Sequence, residues 1–229
     1  MRWVIYIIAG LIVISWIVKF FIGRQESARP TFSDEENQRD YDLKKQGLEK
    51  VLGKMDDMVL HAIIPYEIGG PLDIYTFSKH LAGTGFVSME LLSPADSGPK
   101  ANRDGTYELI MFTRLKDGGE NTEDSPYSKI ALRCRSIMTS GGRYSTMAVL
   151  NSGDTSEVPI SEDEFACIIL DKYTTFSVGE RTHHLLLIME VFRNEMEYAR
   201  KEGTEKLLLQ LKEQNYYPFS DLDRKSVIE

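Results

Sequence analysis

Residues Trp3–Val18, WVIYIIAGLIVISWIV, contain no charged side chain, and Phe20, Phe21 and Ile22 extend the run past Lys19. A helix over Trp3–Ile22 measures about 30 Å, which matches the hydrocarbon core of a bilayer. A cleaved secretory leader has a shorter apolar stretch, of about 7–15 residues, and small residues at its cleavage site. Here Lys19, Phe20 and Phe21 stand where those small residues belong. Trp3, Tyr6 and Trp16 suit the interfacial belts, and Lys19 can extend its ammonium to the headgroups. The reading is an uncleaved, single-pass transmembrane anchor over residues 1–23. No cysteine lies near it, which excludes a lipoprotein. Lys19, Arg24 and Arg29 outweigh Arg2 and the α-amine, so the positive-inside rule places the rest of the chain on the cytoplasmic side of the membrane.

Residues 24–41, RQESARPTFSDEENQRDY, read as a polar tether. Within it Ser33 and Glu36 fit a capping box, so a helix can begin there. Leu43, Leu48, Val51 and Leu52 continue it as an amphipathic helix to about Val59. Residues 42–229 are long enough to bury a core without disulfides. The formal net charge is −8, from 27 basic and 35 acidic residues. Such a chain repels phosphate backbones, which argues against nucleic acid as a partner. Cys134 and Cys167 form neither a CxxC pair nor a zinc spacing. They read as two buried thiols, with one disulfide as the alternative in an oxidising compartment.

Beyond the helix, strand patterns dominate. Val59–Ile64 is a short apolar run closed by Pro65. Leu72–Phe77 alternates, with Leu72, Ile74 and Thr76 on one face. Phe86–Leu92 follows, then a long loop from Ser93 to Gly105. Tyr107–Leu115, YELIMFTRL, has the continuous apolar centre of a buried central strand. Asp124-Ser125-Pro126 is a helix start. The helix it opens runs to about Ser140, with Ile130, Cys134, Ile137 and Met138 on one face and Gly141-Gly142 as its stop. Thr146–Leu150 reads as a short strand and Phe165–Leu170 as a buried one. His184–Met189 is an apolar run, strand or helix start. Two helices close the chain, one carrying Phe192, Met196 and Ala199, the other Leu207, Leu208 and Leu211, with Gly203-Thr204 between them. The sum is an α+β domain: a mixed, mainly antiparallel sheet flanked by helices.

Chemistry-bearing motifs are sparse. His61, His80, His183 and His184 lack metal-ligand spacing. G-x-S-x-G and the glycine-rich phosphate loops are absent. Arg133 and Arg135 adjoin Cys134, yet its apolar stripe argues for burial rather than nucleophilic use. No cofactor or metal is expected. Asp73, Glu90 and Glu108 stand inside apolar strands, where a carboxylate is costly unless paired or solvated. They read either as solvent-face residues or as an acidic patch that receives a partner's basic side chains.

Three segments, in this order, resemble the suppressor of fused domain family: GGPLDIYTF (Gly69–Phe77), YELIMFT (Tyr107–Thr113) and LLLIMEVFRNEMEYARKEGTEKLLLQL (Leu185–Leu211). In the last, an apolar strand precedes a helix bearing Glu195 and Tyr198, then Gly203, Thr204 and a leucine-rich helix. The family's usual Thr-Ser-Gly segment is replaced by GTGFVSMELL. The resemblance implies a non-enzymatic protein-binding domain in a divergent bacterial branch. Animal relatives grip a peptide partly by strand addition, and bacterial relatives resemble immunity proteins against a cognate toxin. Two other readings stay open: a hydrolase that uses sheet carboxylates with His80 or His183, and an envelope scaffold.

Overall fold

The computed structural model describes residues 32–94, 99–119 and 124–228. The anchor expected over residues 1–23 lies outside them. No helix among the described residues is long and apolar enough to cross a membrane.

Tyr107–Thr113 is buried throughout because both faces of its sheet are covered. The sheet has seven strands: β1 (Val59–Leu60), β2 (Ile74–Phe77), β3 (Thr84–Ser88), β4 (Tyr107–Thr113), β5 (Thr155–Pro159), β6 (Phe165–Val178) and β7 (Arg181–Val191). Their spatial order is β1-β2-β3-β4-β7-β6-β5. Only β4 and β7 pair in parallel, with Tyr107 opposite His184 and Ile110 opposite Leu187. Every other neighbouring pair is antiparallel. The mixed, mainly antiparallel α+β architecture is the one expected.

Helix α1 (Asp34–Leu52), α3 (Arg193–Glu202) and α4 (Thr204–Glu213) supply one face of the core. There Leu48, Leu52, Met196, Leu207 and Leu211 pack on Phe77, Ile110, Phe112, Leu185 and Leu187. Helix α2 (Pro126–Met147) supplies the other, with Ala131, Cys134, Ile137 and Met138 against Phe86, Leu109, Ile168 and Ile188. Consecutive strand residues feed opposite cores, as the strand period requires.

Several elements differ from the sequence reading. Helix α1 begins at Asp34, where the Ser33 capping box allowed a start, and ends at Leu52 rather than near Val59. Helix α2 starts as expected, with Ser125 Oγ accepting the Ser128 N–H at 3.0 Å. It does not stop at Gly141-Gly142 but runs to Met147. Both glycines are helical and buried: Gly142 faces Tyr66, Leu72 and Leu91, and Gly141 faces Ile188 and Leu109. They serve close packing, which outweighs their poor helix propensity of about 1 kcal/mol each. Thr146 and Met147 therefore end a helix and begin no strand. Strand β6 continues to Val178 and forms a long hairpin with β7, shifting register between Lys172 and Thr174.

Candidate functional site

Of the three carboxylates only Glu108 lies within a strand, because β2 begins at Ile74 and β3 ends at Ser88, and Glu108 is the one closed to a partner. Glu108 is fully buried beneath α1. Its carboxylate accepts hydrogen bonds from Ser88 Oγ (2.6 Å), Leu92 N (2.9 Å) and Leu91 N (3.2 Å). Lys44 Nζ stands 3.7 Å away and donates to the carbonyls of Met89 and Leu92. Burial raises the pKa of Glu108, and Lys44 and the hydrogen bonds oppose that rise. Asp40 completes this cluster, paired with both Lys44 and Arg181. Asp73 and Glu90 do adjoin each other, since Glu90 Oε2 accepts the Asp73 N–H at 2.7 Å. Asp73 also accepts from Ala62 N at 2.7 Å and meets His61 Nδ1 at 2.8 Å. Each of the three is thus held by its own fold.

The histidines of the hydrolase reading have structural partners. His80 Nε2 lies 2.7 Å from Tyr173 Oη, and His183 Nδ1 lies 2.6 Å from Thr106 Oγ1. The histidine that meets a strand carboxylate is His61, on an exposed surface. Cys134 and Cys167 are free and buried. Burial pushes both thiols up, away from nucleophilic use. Among the described residues no group of three or more His, Cys, Asp or Glu could hold a metal.

The feature most open to a partner is the sheet's β5 edge, which sequence patterns did not mark. TSEVP has a single buried residue, Val158, too weak a period to register as a strand. Among the described residues strand β5 pairs only with β6. At its two ends Leu170 N donates to Asp154 O, and Ile160 N donates to Glu164 O. Hydrogen-bonding direction alternates along an antiparallel strand. Ser156 and Val158 therefore bond inward, while Thr155, Glu157 and Pro159 turn their backbone polar groups outward. Proline suits that last position, where its missing N–H would face away from the ladder. Ser140 Oγ donates to the Pro159 carbonyl at 2.6 Å and closes that end of the edge.

Helices on both faces of the sheet overhang this edge and make it a slot of about 470 Å³. One wall is Tyr144, Val149 and Leu150, at the end of α2 and beyond it; the other is Ala199, Arg200, Gly203 and Thr204. Gly153, Asp154, Thr155 and Ser156 form the floor. No histidine lines it. Tyr144 and Val149 are each close to half exposed, so the first wall is an apolar surface facing solvent. On the second wall Arg200 pairs with Glu157 at 3.6 Å, and Arg193, which does not line the slot, pairs with the same carboxylate at 3.0 Å. The Arg193 hydrogen bond holds the Glu157 carboxyl below its usual range. Arg200 Nε also donates to Thr155 Oγ1 at 3.1 Å.

Fold and site together describe an α+β domain whose open feature, among the described residues, is a walled strand edge. No family model and no curated protein sequence matches the chain. Solved structures do. A chain of a Sufu–Fu complex aligns with a TM-score of 0.52 and 16% identity, covering 84% of this chain and 92% of that one. Drosophila Suppressor of Fused aligns at 0.53 and 17%, covering 86% of this chain and 54% of that one. A suppressor of fused homologue from Neisseria gonorrhoeae FA 1090 aligns at 0.51 and 12%, covering 86% and 99%. The fold is therefore suppressor of fused-like, in agreement with the three-segment resemblance in the sequence.

Proposed function

We propose that this domain is a non-enzymatic protein-binding module that takes an extended segment of its partner along β5. The slot between α2 and α3 carries this reading, because its floor offers the outward backbone groups of Thr155 and its walls offer side-chain contacts. Strand addition uses those two elements: main-chain bonds for affinity, flanking pockets for specificity. An incoming strand alternates its side chains, so apolar residues meet Tyr144 and Val149 while an acidic residue meets Arg200. The Sufu–Fu complex supports the reading, since there a protein of this fold is held with a protein partner. The uncharged run Trp3–Val18, extended past Lys19 to Ile22, supports a membrane-anchored form, with Lys19, Arg24 and Arg29 favouring the cytoplasmic side. A cognate toxin is the specific partner that the bacterial resemblance favours.

The test is affinity capture of the detergent-solubilised full-length chain, with mass spectrometry of what accompanies it. One stoichiometric protein partner is expected. Thr155→Pro removes an outward N–H without touching the β6 ladder. It should abolish capture while leaving the thermal midpoint near that of the unsubstituted protein. Retention of the partner by this variant would move the interface away from β5. Failure to recover any protein from membranes rich in the chain would count against the module itself.

A further inference from the structure

His184 is 1% exposed, near the start of β7, where it pairs with Tyr107 of β4. Its Nε2 lies 3.3 Å from Asn102 Nδ2. Two other bonds fix the direction of the Asn102 amide. Nδ2 donates to the Leu150 carbonyl at 2.8 Å, and Oδ1 accepts the Asp104 N–H at 2.9 Å. The second Nδ2 hydrogen therefore points at His184, and Nε2 accepts it. A neutral imidazole has one donor and one acceptor nitrogen, so the ring proton sits on Nδ1.

Asn102 belongs to a tight turn, in which Asn102 and Gly105 exchange backbone hydrogen bonds at 3.0 Å. This turn clamps the connection between α2 and β5. Besides the Leu150 bond, Arg103 N donates to Asn151 Oδ1 at 3.2 Å, and the Arg103 guanidinium donates to the Ser152 carbonyl. The clamped connection is part of the slot: Val149 and Leu150 stand in its α2-side wall and Gly153 in its floor. One buried histidine is thus joined, through one amide, to that wall.

Protonation at Nε2 makes both ring nitrogens donors. An N–H then faces an N–H. Asn102 must withdraw from the ring or turn its amide over, which would set Oδ1 against the Leu150 carbonyl and Nδ2 against the Asp104 N–H. Both movements give up the Leu150 bond. The groups around the ring are divided. Asp104 and the Thr106 backbone favour the imidazolium, while Lys172 of β6 and His183 beside it on β7 oppose it. Asp104 is itself paired with Lys172 at 3.0 Å and with Arg103 at 4.0 Å. The Tyr107 ring packs at 5.4 Å and adds no charge. Burial is the largest influence and holds the His184 pKa below the ordinary histidine range. The folded domain therefore keeps the neutral ring at neutral pH. Stability tied to that ring is lost as pH falls below the unfolded value of about 6.5.

We propose that His184 is a proton-operated latch on the slot. Neutral, it holds Asn102 and the wall at Leu150 in place; protonated, it frees both, so that a segment bound along β5 is released in mild acid. The release rests on the slot reading above; the latch itself does not.

The test follows the full chain in detergent micelles by NMR, with isotopic nitrogen in the histidine rings and the backbone. The pH runs from about 8 to about 5, the range in which histidine titrates. The His184 ring signals are assigned through its own backbone. At the alkaline end the ring should carry its proton on Nδ1. As pH falls, the amides of Leu150, Asn151 and Gly153 should shift with the His184 midpoint. In His184→Gln, whose side chain is an uncharged acceptor at every pH, they should stay still. Should that variant not fold, the shared midpoint in the unsubstituted chain decides. A ring proton on Nε2 at neutral pH, a His184 that stays neutral throughout, or wall amides unmoved while it titrates overturns the proposal. So do amides that follow another midpoint, since Asp154 and Asp171 also hold this connection, accepting from Asn151 N and Ser152 Oγ. None of these outcomes touches the slot reading, which stands or falls on Thr155→Pro.

Discussion

Lys44 and Glu108 show how a residue's surroundings reverse its meaning. In sequence Glu108 reads as a carboxylate at the edge of an apolar run; in the fold it is buried under a helix with an ammonium and three hydrogen-bond donors. Removing the cation from a buried pair strands the remaining charge, at about 3–5 kcal/mol. Lys44→Met should therefore lower the urea midpoint strongly at neutral pH. Burial places the folded pKa of Glu108 above its unfolded value, so its contribution to stability is complete below the unfolded value and declines as pH rises through the folded one. Without Lys44 that rise is larger. The variant's deficit should accordingly shrink towards about pH 4, where the carboxyl is protonated in both states. Urea titrations at both pH values check this. The thiols make a separate residue-scale prediction. Cys134 and Cys167 are buried with raised pKa, so a thiol reagent at neutral pH should label them only after unfolding.

At the scale of elements, two kinds of position set the geometry around the slot and beneath α1. Gly47 lets α1 approach β6 so closely that an added Cβ would collide with the Ser177 carbonyl oxygen. That neighbour is backbone and cannot rotate away. Gly47→Ala should cost about 3 kcal/mol, at the upper end for overpacking, and a denaturant series measures it. The second kind is the edge residue. Pro159 and the weakly patterned Thr155–Glu157 make a strand that pairs on one side only. These residues carry little hydrophobic signal because the strand buries little. The glycine pair of α2 misleads in the other direction. Its local preference is to end a helix, and the packing of Tyr66, Leu72 and Leu91 against it overrides that preference.

Across the whole molecule, the segment after α4 acts as a strap. Asp221 accepts from Thr113 Oγ1 and from Arg114 N (2.8 Å) at the end of β4. Arg224 forms a bidentate pair with Glu195, at 2.6 and 2.8 Å, with both side chains buried. The same guanidinium lies over the rings of Phe192 and Tyr216, at 4.9 and 4.8 Å. Val227 N donates to Glu195 Oε1 at 2.9 Å. The chain's last residues are thereby fastened to the start of α3, one wall of the slot. Arg224→Ala should destabilise the domain by about 3–5 kcal/mol, because Glu195 stays buried without its cation. Arg224→Lys should rescue little, since a point charge replaces neither the planar fork nor the ring stacking. Thermal unfolding of the two variants, side by side, tests both statements.

What the sequence determined by itself was local and periodic: the uncharged run Trp3–Val18, the buried strands at Tyr107 and Phe165, the start of α2 at Ser125-Pro126, the break at Gly203-Thr204, and so the α+β class. Each rests on a spacing or a capping side chain a few residues wide. The fold likeness was legible too, because three such segments occur in order. Only the tertiary structure decided which carboxylates are solvated, since the burial of Glu108 depends on Lys44, 64 residues earlier in the chain. It alone exposed the β5 edge, because an unpaired strand is defined by a neighbour it lacks.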